Sequence, residues 1–315
     1  MNFRPISTLI LFIITLTISP LALRAQQSDR TSETHFRSDR KATSFVFDWR
    51  KGMIFVPVRI NGSRALSFVL DSGSTRMLMN RRLAADLGLK TSGKGSLQGA
   101  GAGRIPVEFI HDVNLALPGI ESKGFEFSTA DLQPLEASLG VRVDGILGYE
   151  LFSRFVLAVD YEARSLTFTA PEAFHPDSTK EMLPIEIRDK WPFVQAELVL
   201  PGPVTVQDSF LIDSGSSDAV DHPIVMNLQS RVSSESGVGL GTSVSGATAR
   251  AISFRLGRYT IAAPTVSCCG ATEATSKLIG SEVLRRFMVT FDYPSSRIFI
   301  KPNSDLAKPS SLDGT

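Results

Sequence analysis

Ser67-Phe68-Val69-Leu70-Asp71-Ser72-Gly73-Ser74-Thr75 recurs later in the chain as Ser209-Phe210-Leu211-Ile212-Asp213-Ser214-Gly215-Ser216-Ser217. Six of the nine positions are identical, and the other three exchange similar side chains. In both copies an apolar run ends at an aspartate and Ser-Gly-Ser follows. A second block repeats behind the first. Ile146-Leu147-Gly148-Tyr149-Glu150-Leu151-Phe152-Ser153-Arg154-Phe155 aligns with Leu278-Ile279-Gly280-Ser281-Glu282-Val283-Leu284-Arg285-Arg286-Phe287. Each copy then runs through an apolar strand into Asp-Tyr, at Asp160-Tyr161 and Asp292-Tyr293, and ends in a further strand at 165–169 and 297–300. The blocks keep the same order in both halves, so the chain reads as a duplicated domain.

Around the first loop the pattern is that of short strands. Phe45-Val46-Phe47 precedes Ile54-Phe55-Val56-Pro57-Val58-Arg59-Ile60, and Asn61-Gly62 is a hairpin turn signal before the return strand that runs into Asp71. A short helix is expected over 81–87, with Gly88 as its stop. The fold class is therefore all-β, with one lobe over residues 45–175 and a homologous one over 176–302. The join is polar and carries Pro171 and Pro184. Residues 26–44 lack apolar periodicity and read as a polar linker, and 303–315 read as a polar tail that frays.

Asp71 and Asp213 are the candidate catalytic residues. An ionised aspartate at the end of an apolar strand is costly when buried unless something pairs with it. Two such residues, one from each half, can face each other across a pseudo-twofold axis. Carboxylates about 3 Å apart cannot both ionise cheaply, so the pair shares one proton. Its ionised member can take a proton from a water held between the two. The protonated member can donate to an amide carbonyl, which is general acid–base hydrolysis without a covalent intermediate. Such a pair titrates as a unit, and neither residue is assigned as the permanent acid or base. Gly73 and Gly215 allow a tight turn that brings backbone amides close to the carboxylates.

These loops, with the later Ile146-Leu147-Gly148 and Leu278-Ile279-Gly280 elements, resemble the aspartic peptidases, both pepsin-like and retropepsin-like, over roughly residues 45–302. The resemblance implies an acid-protease-like β-barrel lobe around each aspartate, a cleft between the lobes, and endoproteolysis of extended polypeptides. It implies that Ser72 and Ser214 bond across to the opposite loop, and that Ser74 and Ser216 donate to the outer carboxylate oxygens. It implies a flap, for which the glycine-rich stretch with Gly99, Gly101 and Gly103 is the candidate and 237–249 the second-half counterpart. The short halves and the absence of Tyr from 95–109 place the chain nearer a tandem retropepsin than a pepsin. Both lobes lie in one chain, so a monomer suffices for activity. The alternative is a catalytically inactive peptide-binding module of the same fold.

Other chemistries find little support. The chain of 315 residues carries a net charge of +1, with no basic stripe for a nucleic-acid partner. No G-x-S-x-G, and no glycine run continuing as G-K-S/T, is present. The four histidines, His35, His111, His175 and His222, are scattered, so no metal and no cofactor is expected. Adjacent Cys268 and Cys269 are expected to be two small, partly buried side chains, since a bridge between neighbours is strained. Residues 1–25 read as a signal peptide: Arg4, an apolar stretch, then Ala22-Leu23-Arg24-Ala25 before Gln26. That predicts an exported protein, periplasmic or secreted, with no membrane span after cleavage; an uncleaved anchor is the alternative.

Overall fold

The computed structural model describes residues 34–39, 41–98, 104–202, 204–236, 244–268 and 277–310. The expected signal peptide and Gly99, Gly101 and Gly103 lie outside the described residues. Strands dominate, as the alternating and continuous apolar runs require, and three sheets carry them. In the first half, five strands lie side by side in the order Ile120–Ala130, Met77–Asn80, Gly145–Leu147, Leu66–Leu70 and Met53–Ile60. In the second half the order is Thr265–Cys268, Val220–Asp221, Leu278–Ile279, Val204–Ile212 and Trp191–Leu200. The duplication read in the sequence thus reappears as duplicated strand order.

The repeated hydrophobic-hydrophobic-Gly elements explain why the arrangement closes around the aspartates. Gly145–Leu147 runs parallel to Leu66–Leu70, and Leu278–Ile279 runs parallel to Val204–Ile212. A parallel neighbour needs a long crossover, and the excursion between the two blocks of each half supplies it. Asp71 N–H donates to Leu147 O (3.0 Å) and Asp213 N–H to Ile279 O (2.9 Å), so each inserted strand holds an aspartate at its tip. The third sheet joins the halves. Val156–Asp160 pairs with Phe287–Asp292 at its centre, flanked by Ser165–Thr169 and Ala42–Val46 on one side and by Arg297–Pro302 and Glu181–Pro184 on the other. A core of buried side chains drawn from both halves, including Phe68, Phe152, Phe155, Phe210, Phe287 and Phe291, packs beneath. The described residues form one compact unit.

The expected helix is present at Arg81–Asp86, capped by the Asn80 side chain, and Gly88 stops it at φ +62°. The helix Gln133–Leu139 is additional; it starts with a proline in its first turn and buries Leu135 and Leu139. The Asn61-Gly62 turn holds both residues at positive φ, as a twisted hairpin demands.

Three expectations are corrected. The described part of the 26–44 segment contains strands at Thr34–Phe36 and Ala42–Val46, which pair with Ile120–Ala130 and Ser165–Thr169. Edge pairing uses backbone groups and leaves no apolar period to read. The tail is tied down as far as Ser310: Arg286, fully buried, donates to the carbonyls of Asp305, Leu306 and Lys308 and to Ser310 Oγ. Cys268 is buried in the core and disulfide-bonded, so it is not the free thiol expected; Cys269 lies outside the described residues.

Candidate active site

The two Asp-Ser-Gly-Ser loops meet. Ser72 Oγ donates to Ile212 O (2.7 Å) and accepts from Ser214 N–H (2.9 Å). Ser214 Oγ donates to Leu70 O (3.0 Å) and accepts from Ser72 N–H (3.0 Å). Both serines are buried. These four reciprocal bonds satisfy backbone groups of one loop with side chains of the other, the role that the family resemblance implies.

The glycines set how closely the aspartates approach. A Cβ placed on Gly73 would lie 2.5–2.7 Å from the carboxyl atoms of Asp213, and one on Gly215 would lie 2.4–2.6 Å from those of Asp71. No real Cβ makes such contacts, so only glycine lets each carboxyl rest on the opposite loop. Gly148 and Gly280 do the same from beneath. A Cβ on Gly148 would sit 2.3 Å from Arg76 O and 2.6 Å from Ser74 O, and one on Gly280 would sit 2.1 Å from Asp218 O. The chain after each glycine then holds its loop from below: Tyr149 N–H donates to Ser74 O (2.9 Å) and Ser281 N–H to Ser216 O (2.8 Å).

Backbone amides hold the carboxylates. Gly73 N–H donates to Asp71 Oδ1 (2.8 Å) and Gly215 N–H to Asp213 Oδ1 (2.9 Å). The Ser74 hydroxyl proton goes elsewhere. Ser74 Oγ donates to Arg76 O (2.8 Å), and Ser216 Oγ accepts from Asp218 N–H (3.2 Å). The two carboxyls are near enough to act on one another. Burial, then the charge of Asp213, raise the Asp71 carboxyl well above the ordinary carboxylate range. Burial raises Asp213 as well, while its interaction with Asp71 and the amides of Gly215 and Ser216 oppose the rise. The pair therefore favours a state that retains a proton, as two enclosed like charges must.

Several neighbours escaped the sequence reading. Trp191 Nε1 donates to Gly73 O (2.7 Å), so an indole from the second half braces the first loop. Its position repeats that of Met53, two residues before Phe193 and Phe55 respectively, and extending the repeat backwards would have exposed the exchange. Tyr293 is buried below the loops, its hydroxyl 3.4 Å from Ser72 O, and burial with the charges of Asp71 and Asp213 pushes its phenol well up. Asp218 and Asp221 lie within electrostatic reach of Asp213 or of one another. His222 is buried, with Nε2 3.4 Å from Asp208 Oδ2 and Nδ1 accepting from Ile224 N–H. Burial lowers its pKa more than Asp208 raises it.

The strands beside the glycine-rich stretch pair antiparallel, Gln98 opposite Arg104. Val232–Ser236 and Val244–Arg250 pair likewise around the second-half counterpart. Among the described residues no three His, Cys, Asp or Glu side chains are grouped to hold a metal ion.

No curated protein matches the chain. Residues 56–151 match a family described as aspartyl protease. The matched stretch holds the Asp71 loop, the helix Arg81–Asp86 and the Ile-Leu-Gly element, and its match supports an aspartyl protease family for this chain.

Proposed function

We propose that the chain is an aspartic endopeptidase with two lobes, residues 45–175 and 176–302, facing each other across a cleft floored by Asp71 and Asp213. One observation carries this reading: each aspartate lies against the glycine of the opposite loop, as near as an absent Cβ permits. Two loops built only as turns would not need that approach. In the proposed reaction the pair holds a water and one proton. The ionised carboxylate removes a proton from the water as its oxygen attacks the scissile carbonyl. The protonated carboxyl donates to the carbonyl oxygen. Collapse of the tetrahedral species then passes a proton to the leaving nitrogen and restores the pair. The four serine bonds keep the two carboxyls at fixed separation, and fixed separation is what makes proton sharing effective.

The substrate class is extended polypeptide, and one chain contains both aspartates, so a monomer is active. Export to the periplasm or beyond is proposed from the N-terminal sequence. The test is hydrolysis of an unfolded protein across acid to neutral pH by wild type, Asp71→Asn and Asp213→Asn. Loss of either general acid–base partner is expected to lower the rate by at least about 100-fold. Full activity in both variants would refute the mechanism. A wild type inert at every pH that still binds peptides would replace it with the binding-module reading.

A further inference from the structure

The duplication makes the two halves comparable position by position, and one row of side chains departs from symmetry in a telling way. On one face of the first-half sheet, Phe55 lies opposite Val69, Val69 opposite Ile146, Ile146 opposite Leu78, and Leu78 opposite Ser128. The same row in the second half is Phe193, Leu211, Leu278, Asp221 and Ser267. Phe faces Phe, aliphatic matches aliphatic, and Ser matches Ser. Only the fourth place differs in kind: Leu78 in one half, Asp221 in the other.

The row borders the aspartate pair. Val69 and Leu211 stand two residues before Asp71 and Asp213. Phe55, Val69, Leu78 and Ile146 close into an apolar cluster with the helix Gln133–Leu139. In the second half only Phe193, Leu211 and Leu278 cluster, with Trp191 against them. Asp221 is inserted at the edge of this small apolar wall.

Asp221 is 8% exposed, and its Oδ1 is buried without a hydrogen-bond partner. A buried polar atom left unpaired is destabilising, so Asp221 Oδ1 has an open place for a hydrogen-bond donor. Asp218, one turn of chain earlier, reaches the surface and has its carboxylate in no ion pair among the described residues. The cation nearest in sequence to the row, Lys277, is taken by Asp208 at 2.8 Å. Burial and the charges of Asp218 and Asp213 raise the Asp221 carboxyl well above its ordinary value, so an arriving positive charge would relieve a repulsion already in place.

We propose that Asp221, with Asp218 at its mouth, forms a specificity subsite for a basic substrate side chain, lysine or arginine, flanking the scissile bond. The inference rests on the peptidase reading above and adds the substrate class. Leu278, Phe193 and the indole of Trp191 border the methylene stem, and the carboxylates receive the charged end. The corresponding place in the first half, closed by Leu78, takes an apolar side chain.

The test is a set of fluorogenic peptides of one sequence in which a single lysine is stepped through the positions flanking the bond, each paired with its norleucine counterpart. For wild type, lysine is expected to exceed norleucine at one position by roughly 10- to 100-fold in kcat/KM, the range of a charge-assisted hydrogen bond. Asp221→Leu, which installs the residue of the other half, is expected to bring that ratio to about one or below. Asp221→Asn removes the charge at constant shape and serves if the leucine variant does not fold. Active wild type without a lysine preference at any position, or a preference surviving both substitutions, overturns the proposal. If wild type cleaves no peptide, the peptidase reading fails separately. Fluorescence anisotropy of the same labelled peptides then decides: tighter binding of lysine than norleucine, lost in Asp221→Asn, supports the subsite, and equal or no binding overturns it.

Discussion

Replacing Ser72 with alanine removes one oxygen and leaves two buried backbone groups of the other half unserved. Ser72 is fully buried, and its hydroxyl both donates to Ile212 O and accepts from Ser214 N–H. Two net hydrogen bonds of about 1 kcal/mol each set a loss of about 2 kcal/mol. The desolvation of an orphaned donor and acceptor raises the upper end to about 4 kcal/mol, roughly 30- to 1,000-fold in the folding equilibrium. Urea unfolding followed by tryptophan fluorescence measures this as a fall in midpoint at unchanged slope. Ser44→Ala is the control, because Ser44 Oγ bonds Thr167 Oγ1 at the surface and its loss is expected to stay within about 0.5 kcal/mol. Ser214→Ala breaks the other two bonds, and the double variant should fall short of the sum, since loops already parted admit water to the remaining groups. A Ser72→Ala loss no larger than that of Ser44→Ala would refute the claim that these bonds lock the halves together.

Gly215→Ala would place a methyl 2.4–2.6 Å from the Asp71 carboxyl; it is expected to cost about 1–3 kcal/mol by overpacking and at least about 100-fold in peptide hydrolysis by displacing the pair, with unaltered midpoint and rate as the contrary result. Arg286→Leu strands the tail carbonyls that the guanidinium serves and leaves Glu282 to Arg285 alone; a loss of about 2–4 kcal/mol is expected in thermal or urea unfolding, and a loss under 1 kcal/mol would show that the tail is not anchored there. The pH dependence of Asp221 has a definite sign. Its folded-state pKa lies well above the ordinary 3.8, so its contribution to stability is full below that value and is lost as pH rises through the folded pKa. Asp221→Asn cannot ionise, so its stability relative to wild type should grow in the variant's favour from about pH 4 upward; a difference that is flat, or that shrinks with pH, is the contrary outcome. For the pair itself, the raised carboxyl of Asp71 predicts that hydrolysis survives above the usual carboxylate range and is lost when the shared proton leaves, a limb that a kcat/KM profile would place.

The repeat made both aspartates, their glycines and the Ile-Leu-Gly and Leu-Ile-Gly elements legible, because these residues answer local demands that recur in each copy. A strand must end, a turn must be tight, and a backbone must pass under a loop without a Cβ. The Ser72 and Ser214 partnership was also foreseen through resemblance, since identical loops meeting about an axis have few ways to pair. Ser74 was misread because its hydroxyl proton goes to a nearer backbone partner, Arg76 O, and nothing in the sequence ranks that above the carboxylate. The strand at Thr34–Phe36 and the anchored tail were missed because main-chain pairing, and a buried guanidinium, organise polar residues without any period.

By itself, the sequence determined that two blocks recur in the same order, that each copy ends an apolar run in Asp-Ser-Gly-Ser, and that carboxylate chemistry is the function to expect. Those conclusions follow from residue type and spacing, which local sterics and strand geometry constrain. Only the tertiary structure decided how the copies meet: that each carboxyl rests on the opposite glycine, that Trp191 crosses to Gly73 O, and that Asp221 occupies the place of Leu78 beside the pair. Those contacts join residues far apart in the chain, and their energies depend on burial and on the few ångströms between loops, which no local pattern encodes.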